Sequence, residues 1–253
     1  MPNRAGVSLP TLIRTELLAL RTIRTPWVLL AATVIATLAM AGTTVADSGK
    51  AGAASIGTSA ALLAVLDATG RGSVVVLLLG VLAVTAEFRH EMATVTFLQT
   101  PRRARVMAAK AMTVIVVGAA LAVVNLAGVL VVGLPTGAVQ PSLLNGDILL
   151  HVLGLLLAYP LYGVLGVGIG ALLIHQPVAV ALPLAWLLLD HALMDRLPQA
   201  LAPWSLNAVT AALANAGELK AALPVLAGGL ALLGYAALLL STGTARVVRR
   251  DIT

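Results

Sequence analysis

The chain has no cysteine, and among its 253 residues are only two Phe, three Tyr and three Trp. Without cysteine there is no disulfide, no thiolate metal site and no cysteine nucleophile. Charge is scarce too. Asp, Glu, Lys and Arg make up 10% of the residues, against about 25% in a soluble domain whose surface must face water. That polar surface is missing here, so hydrocarbon must be the solvent for most of the chain. The strict period-2 alternation of a membrane barrel is absent. So are a Gly-x-Ser-x-Gly elbow, a pair of intramembrane Asp residues and a Gly-x-x-x-x-Gly-Lys-Ser/Thr phosphate loop, which leaves no sequence basis for hydrolase, intramembrane protease or ATPase chemistry in this polypeptide.

What is present is long apolar runs. Hydrophobic residues reach 60% and the mean hydropathy is +1.02. Uncharged stretches cover residues 27–46, 111–134 and 148–174, and 219–240 is interrupted only by Lys220. A helix needs about 20 such residues to cross the bilayer core. The pattern predicts an all-α integral membrane protein with six transmembrane helices, near residues 27–46, 73–87, 107–133, 147–174, 178–194 and 221–243. The second is short unless it begins upstream, in 60–70. There Asp67 and Arg71 stand four residues apart and could pair across one helical turn. The fifth is also short, and Pro183 interrupts it.

Basic residues orient the spans. Twelve of the sixteen Lys and Arg fall in the N-terminal segment, the 87–110 loop, the 175–176 turn and the C-terminal tail, while Lys50, Arg71, Arg196 and Lys220 fall in the opposite set. Both termini are thus expected in the cytoplasm. The formal charge of +6 is explained by this bias, with contacts to anionic membrane lipid, and calls for no nucleic-acid partner. Ala39-Met40-Ala41 resembles a signal-peptide cleavage site, but the apolar run is too long and about 26 residues precede it. No internal repeat or low-complexity linker divides the chain. One domain is expected: an interfacial segment at 1–26, a membrane domain at 27–243 and a tail at 244–253.

Residues 8–25 read as an amphipathic helix. Leu9, Leu12, Ile13, Leu17 and Leu20 recur at helical spacing, with Arg14 and Arg21 on another face. Ser8 can cap it, and Pro10 is tolerated in a first turn. Such a helix lies in the headgroup plane with its apolar side in lipid; equally, it can serve only to fix topology. Pro26 is expected to make the turn into the first span.

Residues 87–110 carry the densest pattern: Glu87-Phe88-Arg89-His90-Glu91-Met92 leading through Val95 to Pro101-Arg102-Arg103-Ala104-Arg105 and Lys110. Phe88, Met92 and Val95 fall at i, i+4, i+7, which gives a short helix an apolar stripe suited to a groove on a cytoplasmic partner. The plainer alternative is a loop whose Arg cluster sets topology.

The stretch from Leu79 to Lys110 resembles the permease subunit of type-2 ABC exporters. That family has an N-terminal interfacial helix, six spans and an acidic-aromatic-Arg signature closing the second span. A short coupling helix, a Pro-Arg motif and a Lys entering the third span follow. The resemblance places Glu87, Phe88 and Arg89 at the signature, and Pro101, Arg103 and Lys110 at the later positions. Glu91 and Met92 depart from the Gly and Thr of many members. It implies a permease dimer, formed with a second copy or a homologue, in the cytoplasmic membrane of a bacterium. Two separate cytoplasmic ATPase subunits would bind the ATP and magnesium, and coupling would run through 91–99 and the interfacial helix. The permease itself would hold no cofactor.

Other candidates have simpler structural readings. Asp190-His191, near the end of the fifth span, reads as a solvated helix end. His151 and His175 lack a second ligand at i+3 or i+4, so no metal is expected. Gly163, Gly166, Gly168 and Gly170 in the fourth span, with Gly166-x-x-x-Gly170 foremost, read as a close-packing surface. Asn125 can hydrogen-bond across helices or line a path. Residues 196–220, broken by Pro198 and Pro203, suit short, partly inserted helices, an outer gate in the resembling family, or a plain interfacial loop. Walls of Ala, Val, Leu and Gly suit a hydrophobic or amphipathic cargo.

Overall fold

The computed structural model of the chain describes residues 9–22, 24–48, 50, 55–89, 103–140, 145–193, 198, 200–214 and 223–249. Among them the regular structure is helical, with no strand. In chain order the helices are α1 (Leu9–Thr22), α2 (Arg24–Asp47), α3 (Ser59–Gly70), α4 (Ser73–Arg89), α5 (Arg103–Gly133), α6 (Gly146–Leu173), α7 (Gln176–Leu193), α8 (Leu206–Leu213) and α9 (Val225–Arg249).

Five stretches are long and apolar enough to cross a membrane: α2, the combined run Ser59–Phe88, α5, α6 and α9, each of 24 to 31 residues. At 1.5 Å per residue these are about 36–46 Å long, sufficient for the hydrocarbon core and part of the headgroups. The apolar part of α7 is shorter. Pro183 lies inside α7 without ending it. The chain thus has the helices of a multi-pass membrane protein.

The second apolar run starts upstream, at Ser59, and is broken at Arg71–Gly72. The expected Asp67–Arg71 pair does not form. Arg71 caps α3 in a helical conformation (φ −65°, ψ −22°), but its side chain turns toward α2. Its guanidinium instead lies 3.6 Å from Met40 Sδ. Pro26 likewise does not make the expected turn. It sits in the first turn of α2, where a missing N–H costs nothing.

α6 is the central helix. Gly166 abuts α4, where an added Cβ would stand 2.0 Å from the Leu77 carbonyl oxygen, and Gly170 follows one turn on, against Val81. Gly80 answers from α4, facing the backbone of Gly163 and Val167. On another side Gly168 meets Leu239 and Leu240 of α9. In lipid, helices gain little by hiding apolar surface, and close backbone contact through small residues holds them instead. Outside this centre, α2 buries only Pro26, Thr33, Thr37 and Ala41, spaced for one helix face. The Thr33 hydroxyl donates to the Leu29 carbonyl at 2.7 Å, which hides its polarity.

The connection from α6 to α7 is two residues, Ile174 and His175. Ile174 has φ 58°, a left-handed conformation that a β-branched residue adopts only under strain. At the other end, α8 lies against α6 and α9. Gly154 of α6 faces the backbone of Leu213 and Ala214, and Gly228 of α9 faces Ala212 and Leu213. Gly154 is eight residues into α6, so this short helix reaches about 12 Å down the bundle.

Candidate functional site

Two polar clusters stand out in this apolar bundle. The first lies at the end where α1, α4, α5 and α9 bring together Arg14, Arg21, Arg103, Arg105, Arg246 and Arg249, the basic end. Lys110 of α5 is 2% exposed, and its Nζ lies 2.8 Å from Glu16 Oε1 and 2.6 Å from Glu87 Oε1. A buried ammonium is stable only when paired and hydrogen-bonded, and two of its three protons are used here. The triad joins α1, the last turn of α4 and the second turn of α5. It closes over the ends of the span pair that flanks residues 90–102.

Glu87 and Lys110 belong to the pattern singled out in the sequence; Glu16 does not. A signal for it exists. Glu16 falls between Leu12 and Leu20 at i±4, on the stripe of α1 where Leu12, Ile13, Leu17 and Leu20 are half-buried. A carboxylate on the apolar side of an interfacial helix needs a cation.

The remaining residues divide by position. Arg14 and Arg21 of α1 are exposed, and the Arg21 carbonyl accepts from the Trp27 indole at 3.2 Å. Phe88 packs against the cluster of Val84, Val106, Met107 and Val247. Arg89 closes α4. Arg103 donates through Nη1 to the carbonyl of Val247 at 3.0 Å, where a cation suits the unsatisfied carbonyls of the α9 C-terminus. A cavity of about 600 Å³ lies beside it, lined by Phe88, Ile174, His175, Gln176, Pro177 and Arg246. Glu91, Met92, Val95 and Pro101, with the expected coupling helix, lie outside the described residues.

The second cluster surrounds the break in the α3–α4 run. The Tyr159 hydroxyl of α6 donates to the Thr69 carbonyl, which also accepts from the Gly72 N–H at 3.1 Å where α3 ends. Asn125 of α5 donates to the same hydroxyl at 2.9 Å. A Cβ on Gly72 would stand 2.3 Å from that oxygen, so only glycine admits the contact. Non-helical backbone at membrane depth is tolerated where protein groups satisfy it; Tyr159 does so here, held in place by Asn125. Nearby, His151 Nε2 stands 3.2 Å from Asp67 Oδ1, a close approach without hydrogen-bond alignment. His151 is 1% exposed and Asp67 is half-exposed. No group of three or more His, Asp or Glu side chains is placed to hold a metal ion among the described residues.

No protein-family model matches the chain, and no curated protein matches it.

Proposed function

We propose that the chain is the transmembrane subunit of an ATP-driven exporter, with six spans, both termini in the cytoplasm of a bacterium, and a separate ATPase docked at the basic end. The observation that carries this reading is the Lys110–Glu16–Glu87 triad. It ties an interfacial helix to the two spans that bracket residues 90–102, so a push on that segment would move both together. The resemblance of residues 79–110 to type-2 ABC permeases supplies the class, including the dimer and the ATPase partner. In this reading α7 is the fifth span, and α8 lies on the outer side. The test is purification with a co-expressed nucleotide-binding subunit, followed by ATPase measurement in liposomes. Replacing Glu87 and Arg89 by Ala and deleting residues 91–99 should abolish stimulation by the permease. Stimulation that survives both changes would refute the coupling role.

One observation favours a second reading, an ATP-independent transporter. Such proteins place charged groups at broken helices near the membrane interior, and the break at Arg71–Gly72 has Asp67, Arg71 and His151 around it. That reading requires solute flux driven by an ion gradient in liposomes that contain this chain alone. A membrane anchor for a cytoplasmic partner would show neither activity.

A further inference from the structure

Two neighbouring compartments share walls from α4, α6 and α8. The first, about 500 Å³, is lined by Asp67, Arg71, Ser73, Tyr162, Asn207 and Thr210 among others, from α3, α4, α6 and α8 and the turn at the break. The second, about 280 Å³, is almost wholly apolar and lined by Leu77, Leu165, Leu182, Pro183, Trp186 and Trp204 among others. Val74 and Leu77 on α4, and Tyr162 and Leu165 on α6, carry the wall from the polar compartment to the apolar one in a single helical turn. Along α4 and α6 the polar compartment lies on the side away from the triad and the apolar one on the side toward it.

We propose that this double compartment binds one anionic phospholipid, with its headgroup phosphate at Arg71 and an acyl chain between α6, α7 and α9. The apolar compartment decides the chain. A dry cavity of this kind is filled by hydrocarbon rather than water, and at this depth acyl chains are the surrounding solvent. Arg71 decides the headgroup. Among the described residues no carboxylate lies within ion-pair distance of its guanidinium, whose polar contact is Met40 Sδ. An unpaired Arg in a span is costly, and the N-terminus of α4 just beside it also favours an anion. Phosphate fits the planar guanidinium through two hydrogen bonds. The head-outward, tail-inward direction matches a lipid of the leaflet opposite the basic end. The inference deepens the export reading by naming its cargo class, and rests on that reading only for the claim that the bound lipid is carried.

The chain has three tryptophans, Trp27, Trp186 and Trp204, so a Trp27→Phe variant keeps only the two that line the apolar compartment, whose exposed halves add a linear background from bulk lipid to any saturating signal. The full chain in phosphatidylcholine nanodiscs is doped with phosphatidylglycerol or phosphatidylcholine dibrominated on the acyl chain. Quenching by the brominated phosphatidylglycerol should saturate at low mole fraction. Brominated phosphatidylcholine, whose choline cation offsets the phosphate charge and is repelled by Arg71, should need about tenfold more, or about 1.4 kcal/mol. Arg71→Gln should remove that preference, and Leu182→Phe, which fills the apolar compartment from an exposed position, should remove the saturating phase. Quenching that rises linearly with mole fraction, or a preference that survives Arg71→Gln, overturns the proposal. If Leu182→Phe does not fold, retention of phosphatidylglycerol over phosphatidylcholine by the wild-type chain in native mass spectrometry decides the point, and equal loss of both counts against it. None of these readouts uses ATP or a partner subunit, so failure here is distinct from failure of the export reading.

Discussion

The side chain with most at stake is Lys110, because it is buried at 2% exposure between two carboxylates that are themselves 18% and 22% exposed. Removing the cation leaves two negative groups facing each other in a poor solvent. Lys110→Met should lower stability by about 2–3 kcal/mol, read as a fall in the thermal midpoint of the detergent-solubilised protein. Glu16→Gln keeps a hydrogen-bonding side chain and one ion pair, so its loss should be about 1 kcal/mol. Equal losses for the two would mean that the triad is not the unit described. Ile174 works in the opposite direction. Its φ of 58° strains a β-branched residue at the α6–α7 connection, and Ile174→Gly should raise stability by about 1 kcal/mol in the same assay. At this scale the sequence was legible where a motif names residue types, as at Glu87 and Lys110. For Glu16 it marks only a carboxylate on the apolar stripe of α1; the partner lies 94 positions away and is set by how α1 docks, which no local pattern encodes.

Among the helices, what holds α6 to α4 is the absence of side chains. Gly166 leaves room for the Leu77 carbonyl, and Gly80 for that of Gly163. Gly166→Val should therefore push the two helices apart at a cost of about 3 kcal/mol or more. Gly234→Ala on α9, where an added Cβ meets nothing within 4 Å, should be neutral or slightly stabilising. Fluorescence-detected size-exclusion chromatography after mild heating separates the two, and similar profiles would contradict the packing described. Glycine clustering in the fourth span was visible in the sequence, but which neighbour each glycine serves was not. Gly166 and Gly168 are two residues apart and face different helices. The broken second span shows the same limit. Its hydropathy allows an upstream start, yet the break rests on Tyr159 and Asn125 reaching Thr69 and Gly72 from two other helices. The Asp67–Arg71 spacing suggested a pair because it weighs those two side chains without their neighbours on other helices. In the structure the Arg71 guanidinium reaches Met40 of α2, and Asp67 lies beside His151 of α6.

For the whole molecule, the number of crossings decides which side each end occupies, and α7 is the element on which that number turns. Five stretches have the length and composition to span, whereas the apolar part of α7 is shorter and contains Pro183. If α7 crosses, residues before α2 and after α9 share one side of the membrane. If it does not, the two ends are on opposite sides. The lack of cysteine makes this measurable, since each introduced thiol is the sole reactive one. Exposed positions exist on every side needed: Thr22 in α1, Ser55 before α3, Thr136 after α5, His175 between α6 and α7, and Arg249 at the end of α9. With six crossings, a membrane-impermeant maleimide added to intact cells should label Ser55→Cys and Thr136→Cys. Thr22→Cys, His175→Cys and Arg249→Cys should be labelled only after permeabilisation. Labelling of Arg249→Cys in intact cells, with Thr22→Cys still protected, would show that α7 does not cross. The C-terminus of α9 would then lie across the membrane from α1. Arg103 of α5, however, hydrogen-bonds the Val247 carbonyl, while Lys110 on the same helix bonds Glu16 of α1. Seven residues of one helix span about 10 Å, too little to put those two contacts on opposite faces of a bilayer.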